Sequence, residues 1–149
     1  MARDHGFTLI EMLVVLGIIA TTLALTIPLV TAGAASADAE SAAEEIAAGL
    51  RATRAMAVGY GRPTDYTIDV AHGLAGNGDP LRRVAPRKDV RLTLYTVDGA
   101  VFGAGIGAIR FYPDGGSTGG GVKVAAGRRV FTVAVDWLGG AVTIEGKAD

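Results

Sequence analysis

The chain contains no cysteine. That excludes disulfides, thiolate nucleophiles and Cys-ligated zinc or iron–sulfur sites, and it leaves the fold to be held by packing alone. Aromatic residues are scarce at 6%, and charged residues reach only 19%. A formal net charge of −1 and a pI near 6.1 provide no global positive field to draw the molecule to nucleic acid or to an anionic membrane surface, so any such binding has to be local. What abounds is glycine, at 22 residues, and apolar side chains, at 50% with a mean hydropathy of +0.37. The apolar excess is concentrated near the N-terminus, so the chain reads as an anchor plus a head. At 149 residues it is long enough for one domain with its own core and too short for two ordinary ones.

Residues 12–30 carry no charge and are rich in Leu, Ile and Val, and the uncharged stretch runs on to Ala37. As a helix rising 1.5 Å per residue, residues 12–30 cover roughly 28 Å, close to the hydrocarbon thickness of a bilayer, and are expected to span it. Arg3 on the preceding flank, balanced by Asp4, places this end in the cytoplasm, with everything after Val30 translocated. A conventional secretory signal is one reading, because Ala35-Ser36-Ala37 offers the small-x-small pattern of signal peptidase. A plain signal anchor for an unrelated domain is another. Against the first, the run exceeds the roughly 7 to 15 apolar residues of such signals, and Glu11 sits on its edge.

The carboxylate is explained by a third reading. Gly6-Phe7-Thr8-Leu9-Ile10-Glu11, followed at once by Met12-Leu13-Val14-Val15-Leu16, resembles the class III signal of type IV pilins and type II pseudopilins. The resemblance implies that a membrane-embedded prepilin peptidase cuts between Gly6 and Phe7 and methylates the new amine of Phe7. Residues 1–6 are then a leader, and residues 7–30 a transmembrane helix that is kept and later packs inside a fibre. It also implies that Glu11 meets the freed amine of Phe7, on a neighbouring subunit or on the same chain. Charge physics agrees, since a carboxylate pushed into lipid without a partner costs on the order of 2 to 3 kcal/mol, and a nearby cation offsets that cost. Gly17, Ala20, Thr21, Thr22, Ala24 and Thr26 are small enough for neighbouring helices to approach closely. Pro28 removes a helical hydrogen bond and is expected to kink or locally melt the helix.

Residues 31–60 read as an amphipathic continuation of that helix. Ile46, Leu50, Thr53 and Ala57 fall on one stripe, expected to be packed, while Glu40, Glu44, Arg51 and Arg54 fall on another, expected to be solvated. The helix is expected to reach about Val58, with Gly59 and Gly61 ending it and Pro63 beyond. Over residues 61–149 the apolar period shifts towards two. Tyr66, Ile68 and Val70; Val90, Leu92 and Leu94; Ile109 and Phe111; Val122 and Val124; residues 130–135; and residues 141–144 supply short strands. Turns are marked by Gly76-Asn77-Gly78-Asp79-Pro80, Asp98-Gly99, Asp114-Gly115-Gly116 and Gly139-Gly140. The expected fold is α+β, with a long N-terminal helix, transmembrane in its first half, packed on a C-terminal antiparallel β-rich head of one sheet or two small ones.

A second block, Ile109-Arg110-Phe111-Tyr112-Pro113-Asp114-Gly115-Gly116-Ser117-Thr118-Gly119-Gly120 with Asp136-Trp137-Leu138-Gly139-Gly140, is similar to the C-terminal region of the H-type pseudopilin and FimT-like minor pilin family. Where relatives show a Thr-Gly pair after the leucine, this chain has Gly139-Gly140, which leaves the turn reading intact. The resemblance implies a pilin-like fold and a non-enzymatic role: a minor pseudopilin near the tip of a type II secretion pseudopilus, helping to drive folded exoproteins across the outer membrane. Implied partners are the prepilin peptidase, other minor and major pseudopilins and the inner-membrane secretion platform, with exoprotein or the outer-membrane secretin as further contacts. Implied localisation is a single-pass inner-membrane precursor with a cytoplasmic N-terminus and a periplasmic head, later part of the periplasmic pseudopilus. A FimT-like minor pilin that binds DNA in competence, and a periplasmic binding or enzymatic domain behind an ordinary signal peptide, stand as alternatives.

Other signals are weaker. Gly115 to Gly121 lacks the Lys-Ser/Thr ending of a phosphate-binding loop, and Gly103-x-Gly105-x-Gly107 lacks the dinucleotide spacing. Ser117 has no base in a recognisable pattern, and His72 is the only histidine expected after processing. Asp69, Asp98, Asp114 and Asp136 are scattered singly and suit turns and caps better than calcium. No metal set and no cofactor motif is read. Arg82, Arg83, Arg87, Lys88 and Arg91 form the densest basic patch; a solvated loop is favoured there over nucleic acid, because no aromatic residue is interleaved for stacking.

Overall fold

The computed structural model describes residues 8–148 apart from 79, 86–89, 96–104 and 128, and describes only the backbone of residues 25–34 and 148. The chain divides into two compact units, Met1–Ala34 and Ala35–Asp149. One helix, α1 (Leu9–Tyr60), contributes to both. Its sequence is rich in the strong helix formers Ala and Leu. Thr8 caps the start: its hydroxyl accepts the amide of Glu11 at 3.3 Å and its carbonyl the amide of Met12 at 3.2 Å. At the other end Gly61 adopts φ +63°, so the amide of Arg62 reaches the carbonyl of Ala57 and that of Gly61 the carbonyl of Val58. This left-handed cap stops the helix two residues beyond the expected Val58.

Within Met1–Ala34 the described helical side chains are exposed on every side, and apart from Glu11, Thr21 and Thr22 they are apolar. Leu9 is 81% exposed, Ile10 71%, Ile18 61% and Val15 42%, positions that together circle the helix. Thr21 and Thr22 donate their hydroxyls to the carbonyls of Gly17 and Ile18 at 2.8 Å, which satisfies these polar groups inside the helix. No helix among the described residues is long and apolar enough to cross a membrane, so the expected span over residues 12–30 is not found within them. The helical backbone runs unbroken through Pro28.

In the second unit, α1 buries a stripe of Ala35, Ala39, Ala42, Ala43, Ile46, Ala47, Leu50, Thr53 and Ala57. The four residues singled out by periodicity, Ile46, Leu50, Thr53 and Ala57, are all fully covered. Thr53 is tolerated there because its hydroxyl donates to the Gly49 carbonyl at 2.8 Å. The alanines leave room for a sheet to come close, and each fully buried Ile or Leu contributes about 1.5 to 3 kcal/mol over an exposed one.

The strands are β1 (Thr64–Asp69), β2 (Leu74–Gly76), β3 (Arg82–Arg83), β4 (Arg91–Tyr95), β5 (Ile106–Phe111), β6 (Gly120–Ala126), β7 (Arg129–Val135) and β8 (Val142–Ala148). They form two four-stranded antiparallel sheets, ordered β3-β2-β1-β5 and β4-β6-β7-β8. Alternation sets the buried faces, with Tyr66 and Ile68 of β1, Ile109 and Phe111 of β5, Leu92 and Leu94 of β4, Val122 and Val124 of β6, and Phe131, Val133 and Val135 of β7 pointing inward. Together with the α1 stripe they make one core. Of the two arrangements expected, one sheet or two small ones, the second is present among the described residues, whereas the short β2–β3 pair is not visible in the sequence pattern.

Candidate functional site

The first candidate region is the start of α1. Thr8 and Glu11 stand in the spacing of a helix-capping pair, and Glu11 occupies the first turn, where a carboxylate is favoured by the exposed amide ends. Glu11 is exposed, on the edge of the apolar surface just described. Gly6 and Phe7 lie outside the described residues. In sequence, Phe7 precedes Glu11 by four residues.

The second is the corner where α1 meets the loops of the second resemblance block. Arg54 lies on the stripe expected to be solvated, yet it is half-buried, and its Nε donates to the Gly115 carbonyl at 3.0 Å. Arg51, exposed, donates from Nη2 to the Val142 carbonyl at 3.1 Å. The contact of Arg54 corrects the expectation of a solvated stripe at that one position, whereas Arg51 stays exposed as expected while its long side chain reaches a distant carbonyl. Glu40 and Glu44 are exposed as expected.

At this corner the β5–β6 loop and the β7–β8 turn interlock. Ser117 donates its hydroxyl to the Asp136 carbonyl and accepts the Gly119 amide, both at 2.9 Å, while its own amide reaches the Trp137 carbonyl at 2.9 Å. Asp114 accepts the Gly116 amide at 2.9 Å and Asp136 the Gly139 amide at 2.7 Å, which are turn-capping roles. Gly140 adopts φ +62°, and a Cβ there would run into the Gly115 carbonyl and the Arg54 side chain. Gly139 has room for a side chain, so the departure from the family's Thr-Gly pair falls on the position that geometry leaves open. Trp137 and Leu138 at the tip of this turn are 63% and 71% exposed.

The third is the basic patch. Arg82 and Arg83 sit side by side on β3 and are exposed, and Arg91 begins β4. Adjacent strand residues point to opposite faces, so Arg83 and Arg91 line one cavity, beside His72, while Arg82 lines another with Glu45 and Tyr66. Arg87 and Lys88 lie outside the described residues. His72 pairs with Asp69 at 2.8 Å through Nδ1, and its amide reaches the other carboxylate oxygen at 3.0 Å. These bonds hold the Asp69 carboxyl below the usual carboxylate range. The residues lining that cavity include no serine, and Ser117 is committed to Asp136 and Gly119. Among the described residues no group of three or more metal-ligating side chains comes together.

Two side-chain relationships lie outside the sequence reading. Asp65 and Arg110, opposite each other on β1 and β5, form a two-pronged ion pair at 2.6 and 2.8 Å, which lowers the Asp65 pKa. Tyr66, almost covered, has its phenol pushed up to about 12 by burial and by nearby Glu45, against the opposing effect of Arg82. Neither leaves a local signature in sequence.

An outward-facing apolar helical segment that begins with one carboxylate, followed by a helix-backed double sheet, defines a pilin-like subunit. A family profile described as Type II transport protein GspH matches residues 42–139, and one described as Prokaryotic N-terminal methylation motif matches residues 1–27. Type II secretion system protein H of Xanthomonas campestris pv. campestris is 31% identical over an alignment of 153 positions, covering 93% of this chain and 81% of that protein. The chain therefore belongs to the Type II transport protein GspH family. Its fold is shared with the type IV minor pilin FimU of Pseudomonas aeruginosa, seen in two crystal forms. One aligns with a TM-score of 0.55 at 14% identity over 74% of this chain and 91% of FimU, the other with 0.50 at 15% identity over 74% and 96%. At that identity the likeness concerns the fold alone.

Proposed function

We propose that this GspH-family subunit is a minor pseudopilin, held as a single-pass inner-membrane precursor with its head in the periplasm. The prepilin peptidase cuts it between Gly6 and Phe7 and methylates Phe7. It then enters the pseudopilus near the tip with other minor and major pseudopilins, in contact with the inner-membrane platform, and helps move folded exoproteins outward. Its role is structural, without catalysis. One observation carries this reading: the start of α1 presents large apolar side chains on every side, and its first turn holds a single carboxylate, Glu11. Such a surface needs lipid or other helices around it. A carboxylate among them needs a cation, which the Phe7 amine supplies.

The test is Glu11→Val in full-length chains expressed with the other pseudopilins. Cleavage after Gly6 should continue while recovery in sheared pseudopili or cross-linked tip complexes falls, about tenfold for the loss of one buried charge pair worth 1.4 kcal/mol or more. Wild-type recovery of the variant would contradict the charge-pairing step.

A further inference from the structure

We propose that the cleft between β3 and β4 receives an extended acidic segment of another polypeptide, which adds to the free edge of β4 and sets a carboxylate against Arg83 and Arg91. The proposal is independent of how the chain is processed or anchored.

The first ground is the strand order. β3 ends one sheet and β4 the other, and among the described residues β4 pairs only with β6 and β3 only with β2. Between them opens a cavity of about 570 Å³. It is touched by Val90, Arg91, Leu92 and Thr93 in succession. Side chains of successive strand residues point to opposite faces, so a cavity that meets four in a row meets the strand along its edge, where backbone groups are available to a further strand.

The second ground is charge. Arg83 is braced over the cleft by a bond from Nη1 to the His72 carbonyl at 3.3 Å. Among the described residues neither Arg83 nor Arg91 is in an ion pair. The nearby carboxylate that could have paired with them, Asp69, has both oxygens engaged by His72. Among the described residues these two guanidinium groups at the mouth of the cleft are therefore unneutralised, and a guanidinium fork favours a carboxylate or phosphate.

The third ground chooses between those two anions. Half of the lining is apolar, with Val70, Ala85, Val90 and Leu92 beside the arginines, and the ring among the lining residues is the His72 imidazole, tied to the Asp69 carboxylate. A peptide that alternates acidic and apolar residues matches such a surface, whereas single-stranded nucleic acid would find for its bases a lone small ring beside a carboxylate that repels phosphate.

The experiment uses the full chain in detergent micelles and a fluorescein-labelled peptide of alternating Val and Glu, six residues long with blocked ends. Three probes accompany it: the same peptide with Gln for Glu, the same peptide N-methylated at alternate residues, and a six-nucleotide oligothymidine. The acidic peptide should bind, and binding should weaken about tenfold with Gln for Glu, with N-methylation, and in the Arg83→Gln/Arg91→Gln variant, as expected for losing charge-assisted or backbone hydrogen bonds. Should the double variant fold poorly, the Gln and N-methyl peptides test the same two contacts on the unaltered protein. No binding of the acidic peptide, equal binding of its Gln form, indifference to N-methylation, or tighter binding of the oligonucleotide would each overturn the proposal.

Discussion

Arg54, on the helix, donates to the carbonyl of Gly115, sixty-one residues along the chain, at 3.0 Å. The bond ties α1 to the loop between β5 and β6, and Gly140 packs against the same side chain. Three segments thus meet at one arginine: the helix, the β5–β6 loop and the β7–β8 turn. This explains why the two halves of the second resemblance block, far apart in sequence, belong together.

Substituting Gly140 by Ala should destabilise the head by about 2 kcal/mol or more, because the residue sits at φ +62° and its Cβ would meet the Gly115 carbonyl. Arg54→Ala should cost about 1.5 to 3 kcal/mol through the lost charged hydrogen bond. Gly139→Thr, one residue before, should stay within about 0.5 kcal/mol. Urea unfolding of the three variants gives the ranking; equal effects at positions 139 and 140 would contradict it.

Close approach of helix and sheet makes a second prediction. A Cβ on Gly49 would stand 2.5 Å from the Tyr66 ring, which is itself almost covered. Gly49→Ala should cost about 1 to 3 kcal/mol by overpacking. Combined with Tyr66→Leu, the penalty should largely disappear in a double-mutant cycle. Simple additivity of the two substitutions would show that the ring is not the obstacle.

Tyr66 also gives a pH dependence. Burial, aided by Glu45, raises its phenol to about 12 in the folded chain against an ordinary value near 10 when unfolded. The folded state therefore holds its proton longer than the unfolded state. Its contribution is complete below about pH 10 and is lost as pH rises from there through about 12. Burial also raises the phenol of Tyr95, so absorbance at 295 nm should reveal more than one late tyrosine, and the latest step should vanish in Tyr66→Phe, along with part of the alkaline loss of stability.

The packed stripe of α1 was legible because Ile46, Leu50, Thr53 and Ala57 repeat at helical spacing, and a repeat of that kind buries one face whatever the partner. Most strands were legible for the corresponding reason, as in Val122 and Val124 of β6. β2 and β3 were not: at three and two residues they are too short to show alternation. Arg54 read as part of a wet face because helical spacing reports which side of a helix is polar, not which distant carbonyls a long side chain reaches. The basic patch illustrates a related limit. Arg82 and Arg83 are neighbours in sequence and line different cavities, while His72 joins Arg83 and Arg91 only through folding. The N-terminal motif, by contrast, is contiguous, and both its capping pair and its lone acid are readable directly.

In the proposed function the N-terminal helix is kept and given a new amine, not discarded. Intact-mass and peptide mass spectrometry of the mature chain, isolated from cells that carry the secretion machinery, measures this directly. The expected result is a chain beginning with N-methylated Phe7. A mature chain beginning at Asp38, after Ala35-Ser36-Ala37, or one retaining residues 1–6, would contradict it.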